Sequence, residues 1–171
     1  SNISGPLQVY LPPTEDDMLF TPVELTDGVI EYGELWDVDA DEDGLVVGGC
    51  DQNDDVGLIF SIGTEWASSG YSLDGWTRFD VRTLLGEGFT WVRGVCRGDG
   101  LIVAVGEASS ISGFVMTSED GGVSFTDRTS EILAVTGASR IPKMQRCQVF
   151  DGGSFVAAGG SSMFISYTSG E

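Results

Sequence analysis

A short apolar run that ends in glycine occurs three times in this chain, as Leu45-Val46-Val47-Gly48-Gly49, Leu101-Ile102-Val103-Ala104-Val105-Gly106 and Phe155-Val156-Ala157-Ala158-Gly159-Gly160. Each run follows a turn signal, Asp43-Gly44, Asp99-Gly100 or Asp151-Gly152-Gly153. Ahead of each turn stands another short run: Leu35–Val38, Val92–Val95 and Gln145–Val149. A third run follows each glycine, at Leu58–Ser61, Val115–Ser118 and Met163–Ser166. The marker glycines Gly49, Gly106 and Gly159 are 57 and 53 residues apart. A unit of short strands joined by tight turns at that period predicts an antiparallel meander repeated three times, close to the size of a four-stranded blade with lengthened loops.

The fourth strand of each unit carries the most specific pattern. In the second unit, Ser118-Glu119-Asp120-Gly121-Gly122-Val123-Ser124-Phe125 reads as a hairpin turn between Gly113–Thr117 and Val123–Thr126. Its Ser-x-Asp-x-Gly-x-Ser-aromatic spacing resembles the Asp-box of bacterial-neuraminidase-type repeats, found in sialidase-like and photosystem-assembly-factor-like β-propellers. That resemblance implies structural roles for Ser118, Asp120, Gly122 and Phe125. In the first unit an imperfect copy, Ser72-Leu73-Asp74-Gly75, precedes a strand at Trp76–Val81. The third unit begins a copy at Ser166 that reaches Gly170, and the sequence ends at Glu171. Its missing strand matches Met18–Leu25, whose Phe20-Thr21 parallels Phe125-Thr126.

The expected fold is therefore all-β: an incomplete or small β-propeller of about three four-stranded Asp-box blades, the last completed by an N-terminal strand. Residues 1–17 form an arm bounded by Pro12-Pro13, and residues 18–171 form the repeat domain. The blades are expected at about 35–81, 90–128, and 143–171 plus 18–25. Three blades fall below the usual number for a ring. Such a chain closes an unusually small unit, stays open as a wedge, or exchanges its terminal strand with another copy to give a two-fold assembly.

Charge narrows the range of partners. Eight Lys and Arg face 27 Asp and Glu, a net charge of −19. Such a surface repels nucleic acid and anionic membranes and keeps a protein dispersed in salt. No apolar run approaches the ~18–20 residues of a membrane-spanning helix, and no secretory apolar region opens the sequence, so a mature or cytosolically made protein is expected. Cys50, Cys96 and Cys147 are odd in number, lack CxxC spacing and lie in or beside apolar runs, which argues against a disulfide framework or a zinc site. The chain has no histidine, which excludes Ser-His-Asp and Cys-His catalysis.

Four groups of residues remain as candidate sites. Asp39-x-Asp41-x-Asp43-Gly44 copies the opening of a calcium loop, but the twelfth position, where such a loop places glutamate, is Cys50. Calcium is thus the one cofactor with any signal, and none is expected otherwise. Arg93 and Arg146 hold equivalent places on first strands, with Trp36 in the third such place, and could line a channel that binds an anion. Trp66 and Tyr71 lie in an insertion, Ile62–Tyr71, that departs from the repeat and offers a sugar-stacking surface. Sialidase chemistry, as the resemblance implies it, needs an arginine cluster, a Tyr/Glu pair and an acid Asp, and no motif here gathers three arginines.

The expected function is non-enzymatic: a structural or interaction protein, most simply a bacteriophage virion component such as a capsid decoration or tail-associated protein. Its partners would be copies of itself or a larger assembly such as a capsid, and its location the virion after synthesis in host cytoplasm. One alternative is an extracellular carbohydrate-binding module that holds glycans through Trp66 and Tyr71. The other is an assembly-factor-like scaffold that uses Arg93 and Arg146 to hold a partner's acidic segment.

Overall fold

A computed structural model describes residues 33–64, 75–86, 88–109 and 111–166. The protein is mostly β, with three antiparallel sheets of 4, 4 and 3 strands, and no closed barrel or propeller is formed among the described residues. The first sheet runs β1 (Gly33–Asp41), β2 (Gly44–Asp51), β3 (Val56–Ile62) and β4 (Thr77–Asp80), paired in that order. The second repeats the path with β5 (Trp91–Gly98), β6 (Leu101–Glu107), β7 (Gly113–Ser118) and β8 (Thr126–Asp127). The third has β9 (Arg146–Phe150), β10 (Ser154–Gly159) and β11 (Ser162–Ser166). The arm at 1–17, the strand expected at Met18–Leu25, Trp66, Tyr71, most of the imperfect box and Gly170 lie outside the described residues.

The marker glycines have a common physical cause. In each sheet, backbone just ahead of or within the first strand passes over the second strand at the glycine. A Cβ at Gly49 would lie 2.0 Å from the Glu34 carbonyl oxygen, at Gly106 1.9 Å from that of Trp91, and at Gly159 2.2 Å from that of Lys143. Only a residue without Cβ admits so close a backbone. The repeat visible in the sequence is thus a repeat of close approaches.

The sheets stack face to face. Between the first and second, Val46, Ile59 and Phe79 meet Val92, Val95, Ala104, Met116 and Phe125 in one core. Between the second and third, Cys96, Val103, Val105 and Val115 meet Val149, Phe155 and Ala157, with Ile141 and Met144 closing the layer. The central sheet is consequently buried on both faces, and β6 and β7 read as near-continuous apolar runs. Strand β5 lies beside both β1 and β9, so the three first strands gather on one side of the stack.

Two short helices, which the strand periodicity does not announce, occupy equivalent places after the fourth strands. They are α1 (Arg82–Leu85) and α2 (Thr129–Thr136). An aspartate at the strand end starts each: Asp80 Oδ1 accepts from the Arg82 amide at 2.9 Å, and Asp127 Oδ1 from the Thr129 amide at 2.8 Å. A left-handed glycine, Gly86 or Gly137, stops each.

Candidate functional site

The gathered first strands create a polar cluster that joins all three sheets. In β1 the pairing with β2 skips Trp36, and in β5 the pairing with β6 skips Arg93. Both are extra residues in β-bulges, which bend a strand and turn a side chain out of the regular ladder. The two bulges, at positions the repeat makes equivalent, bring their side chains together. The Arg93 guanidinium carbon lies 4.0 Å from the Trp36 ring centroid and 4.5 Å from that of Trp91. The indoles meet edge-on at 5.3 Å, and Phe89 packs on Trp91 at 4.6 Å. Such cation–π stacking is worth ~0.5–2 kcal/mol depending on desolvation.

Arg93 Nε also donates to Glu107 Oε1 at 2.9 Å, and the chain's one lysine, Lys143, meets the other Glu107 oxygen. Arg146 extends the cluster to the third sheet, where its Nη1 donates to the Arg93 carbonyl oxygen at 3.1 Å and lies 3.5 Å from Asp37 Oδ2. The two arginines singled out in the sequence are therefore neighbours. Each is engaged within the protein, tying strands of different sheets together. The chain's four tyrosines lie outside the described residues.

The alternating acids of β1 act on the edge of β5. Asp37 Oδ2 accepts from the Val95 amide at 3.1 Å and Asp39 Oδ2 from the Arg97 amide at 2.9 Å. Asp41 Oδ1 lies 2.7 Å from Nε of Arg97, whose side chain is only 5% exposed. A first strand is the edge of its sheet, and these carboxylates occupy amides that an open edge would present to another chain. Of the calcium candidates, Asp39 and Asp41 are thus used in joining sheets, while Asp43 sits in the following turn with its amide on Asp41 Oδ1. Among the described residues no three His, Cys, Asp or Glu side chains converge on a common point. Sequence reading could not separate a ligand ladder from an edge ladder, because both need a carboxylate at every second residue.

The turn at Ser118–Phe125 is held by its own side chains. Ser118 Oγ donates to Asp120 Oδ1 at 2.8 Å and accepts from the Gly122 amide at 2.9 Å. Asp120 also accepts from the Ser124 amide at 2.9 Å and the Ser124 hydroxyl at 2.6 Å. Gly121 and Gly122 supply the positive φ angles the turn requires. Phe125 is buried and packs on Phe79 of the first sheet at 4.8 Å, so the turn anchors one sheet to the next. Of the third unit's half-box, Ser166 ends β11.

The Ser124 hydroxyl, then its amide, then the Ser118 hydroxyl hold the Asp120 carboxyl down to about 2 from an ordinary 3.8. A folded-state value below the unfolded one stabilises the protein fully above about pH 4 and loses that contribution as pH falls through about 2. Replacing Asp120 with asparagine is therefore expected to lower the melting temperature at pH 5 and to matter progressively less towards pH 2. Melting curves of both proteins across this range check it, and a pH-independent difference would contradict it.

The three thiols are free. Burial pushes Cys50 up to about 12, and burial together with the neighbouring Cys96 raises Cys147. The raised values favour the thiol over the thiolate at Cys50 and Cys147.

Comparison with known proteins adds no relative: no family model, no curated protein and no solved structure matches the chain.

One further surface emerges only from the strand register. In the third sheet, Phe155, Ala157, Val149, Cys147 and Phe164 face the second sheet. Register places Val156, Ala158, Met163, Ile165, Gln148 and Phe150 on the opposite face, with Arg146 at its inner end. There Phe150 is 52% exposed, Met163 62% and Ile165 45%. No Asp or Glu lies on these strand positions, in a chain with 27 of them. Among the described residues strand β11 is also bonded on one side only, whereas β3 and β7, its counterparts, are covered by β4 and β8. The signal was present in the apolar residues at both alternating positions of 155–158 and 163–165, which mark a sheet with two apolar faces.

Proposed function

We propose that this protein is a non-enzymatic assembly protein, a stack of Asp-box-type propeller blades that joins a second copy of itself through the outer face of its third sheet. The acid-free apolar face of β9–β11 carries the reading. Charge depletion at the centre of an exposed apolar patch is the compositional mark of a protein interface. Continuity with the internal packing supports it as well. The residues equivalent to Val156 and Ala158 in the other sheets, Val103 and Val105 in β6 and Val46 and Gly48 in β2, are those packed on the next sheet in the stack.

Two such faces meeting about a two-fold axis keep acids away from the contact. The far end of the stack offers no free complement, since the outer face of the first sheet is already buried. Association is therefore isologous and stops at two copies rather than running on as a fibre. The likeness of the Ser118–Phe125 turn to an Asp-box supports the blade reading. The net charge of −19 suits a body that stays dispersed in salt, and a bacteriophage virion, with the pair as a capsid decoration or tail-associated protein, is the setting we propose.

Replacing Ile165 with aspartate tests this. The variant is expected to keep its fold, because Ile165 points away from both cores, and to behave as a monomer where the parent is a pair. Raising salt should tighten the parent's pairing by screening the remaining like charge. Sedimentation of both proteins over a dilution series reads the outcome, and an Ile165→Asp protein that pairs as tightly as the parent would exclude this face.

A further inference from the structure

Among the described residues no strand ladder joins the second sheet to the third, and their contact is made by side chains across the stack. On β5, Val95 packs towards the first sheet, while Gly94, Cys96 and Gly98 face β9. A Cβ at Gly94 would lie 2.9 Å from the Gln145 carbonyl oxygen and 3.0 Å from the Arg146 Cα. One at Gly98 would lie 3.3 Å from Val149 Cγ1 and 3.4 Å from Val149 Cβ. These contacts advance in step, so β5 and β9 run side by side in the same direction. Cys96, midway between the two glycines, therefore stands opposite Cys147, midway between Gln145 and Val149.

Hydrogen bonding agrees with this placement. Cys147 Sγ donates to the Val103 carbonyl oxygen at 3.5 Å, and Val103 is the residue of β6 that pairs with Cys96. Both thiols lie in one core, Cys96 buried and Cys147 partly exposed. The flanking glycines set their separation. Lacking Cβ atoms, they let β9 approach until the Gly98 Cβ position is 3.4 Å from the Val149 Cβ. The strand between holds the Cys96 and Cys147 Cβ atoms at a comparable spacing, and bonded cysteines keep theirs about 3.5–4.5 Å apart. Cys50 is not a competitor, because it belongs to the first sheet, behind the face of β5 that carries Cys96.

We propose that Cys96 and Cys147 form a reversible disulfide that staples the third sheet to the second when the protein meets a peroxide. The Cys147 thiolate attacks one peroxide oxygen, the O–O bond breaks, and hydroxide leaves a sulfenic acid on Cys147. The Cys96 sulfur then displaces the second oxygen, S–O giving way to S–S, and the two thiol protons complete two molecules of water. A small dithiol reverses the bond by exchange and is itself oxidised. Burial and the neighbouring Cys96 raise Cys147, so its thiolate is scarce at neutral pH and closure is slow there. The staple is independent of the pairing proposed above: either stands if the other fails.

The test treats the intact, unmodified protein with hydrogen peroxide at mildly alkaline pH, unfolds it, caps free thiols with an alkylating agent and digests it with trypsin. The untreated protein should cap all three cysteines. The treated one should cap Cys50 alone, keep the denatured mass of one chain and yield Gly94–Arg97 linked to Cys147–Glu171. It should also melt roughly 5–10 °C above the reduced form, because the bond joins residues 51 positions apart. Cys147→Ser should lose that shift. Three capped thiols after prolonged treatment, a Cys147 that stops at sulfinic acid, a bond to Cys50 or between chains, or a linked protein that melts no higher than the reduced one would overturn the staple.

Discussion

Replacing Gly106 with alanine is expected to destabilise the protein by about 3 kcal/mol or more, at the upper end of what one added methyl group does. The new Cβ would lie 1.9 Å from the Trp91 carbonyl oxygen and 2.9 Å from the Phe114 ring. A side chain of that kind could rotate away, but the backbone carbonyl belongs to the strand that carries the Arg93 bulge. Relief therefore requires moving β5 off β6 and disturbing the cation–π cluster at the same time. Gly49→Ala and Gly159→Ala are expected to follow with the same sign, from 2.0 and 2.2 Å approaches to backbone oxygens. Gly88 supplies the control: nothing lies within 4 Å of its Cβ position, and its substitution should stay within about 0.5 kcal/mol of the parent. Denaturant titrations of the four variants check this. A Gly106→Ala protein as stable as Gly88→Ala would show that the glycine repeat has another origin.

The second large effect is expected at the Asp41–Arg97 pair. Removing the carboxylate in Asp41→Ala leaves a guanidinium that is 5% exposed with no other ion pair among the described residues, a change that costs about 3–5 kcal/mol for buried pairs. Removing the charge instead, in Arg97→Met, retains most of the aliphatic packing and leaves a partly exposed aspartate that water can solvate. The methionine variant is therefore expected to be the more stable of the two, and Arg97→Met should partly rescue Asp41→Ala when combined with it. Equal, small losses of under about 1 kcal/mol in both single variants would instead mark the pair as an ordinary surface ion pair.

Much of the strand order was legible because turns and glycines are local. Asp43-Gly44, Asp99-Gly100 and Asp151-Gly152 mark the turns between first and second strands, and the structure forms three antiparallel meanders around them. The helices were not read, although Asp80 and Asp127 at strand ends and Gly86 and Gly137 beyond them are ordinary helix start and stop signals. A search tuned to strands passes over four-residue and eight-residue helices. Ring closure through Met18–Leu25, together with Trp66 and Tyr71, falls outside the described residues.

The candidate site was legible only in part, for a different reason. Arg93, Arg146 and Trp36 were recognised as equivalent positions, but equivalence does not reveal a bulge, which arises from a pairing offset between two strands. Asp39 and Asp41 could be seen to alternate, yet the donors they accept from lie 58 and 56 residues away on β5. The acid-free face became visible only when register placed Phe150, Val156, Met163 and Ile165 on one side of one sheet.

The most direct test of assembly through that face is the solution mass of the unmodified chain, measured by light scattering across a concentration range at moderate salt. The third-sheet contact predicts a species of twice the 18.1 kDa chain mass, with nothing larger as concentration rises. A mass that stays at one chain throughout, or that climbs without limit, would contradict it.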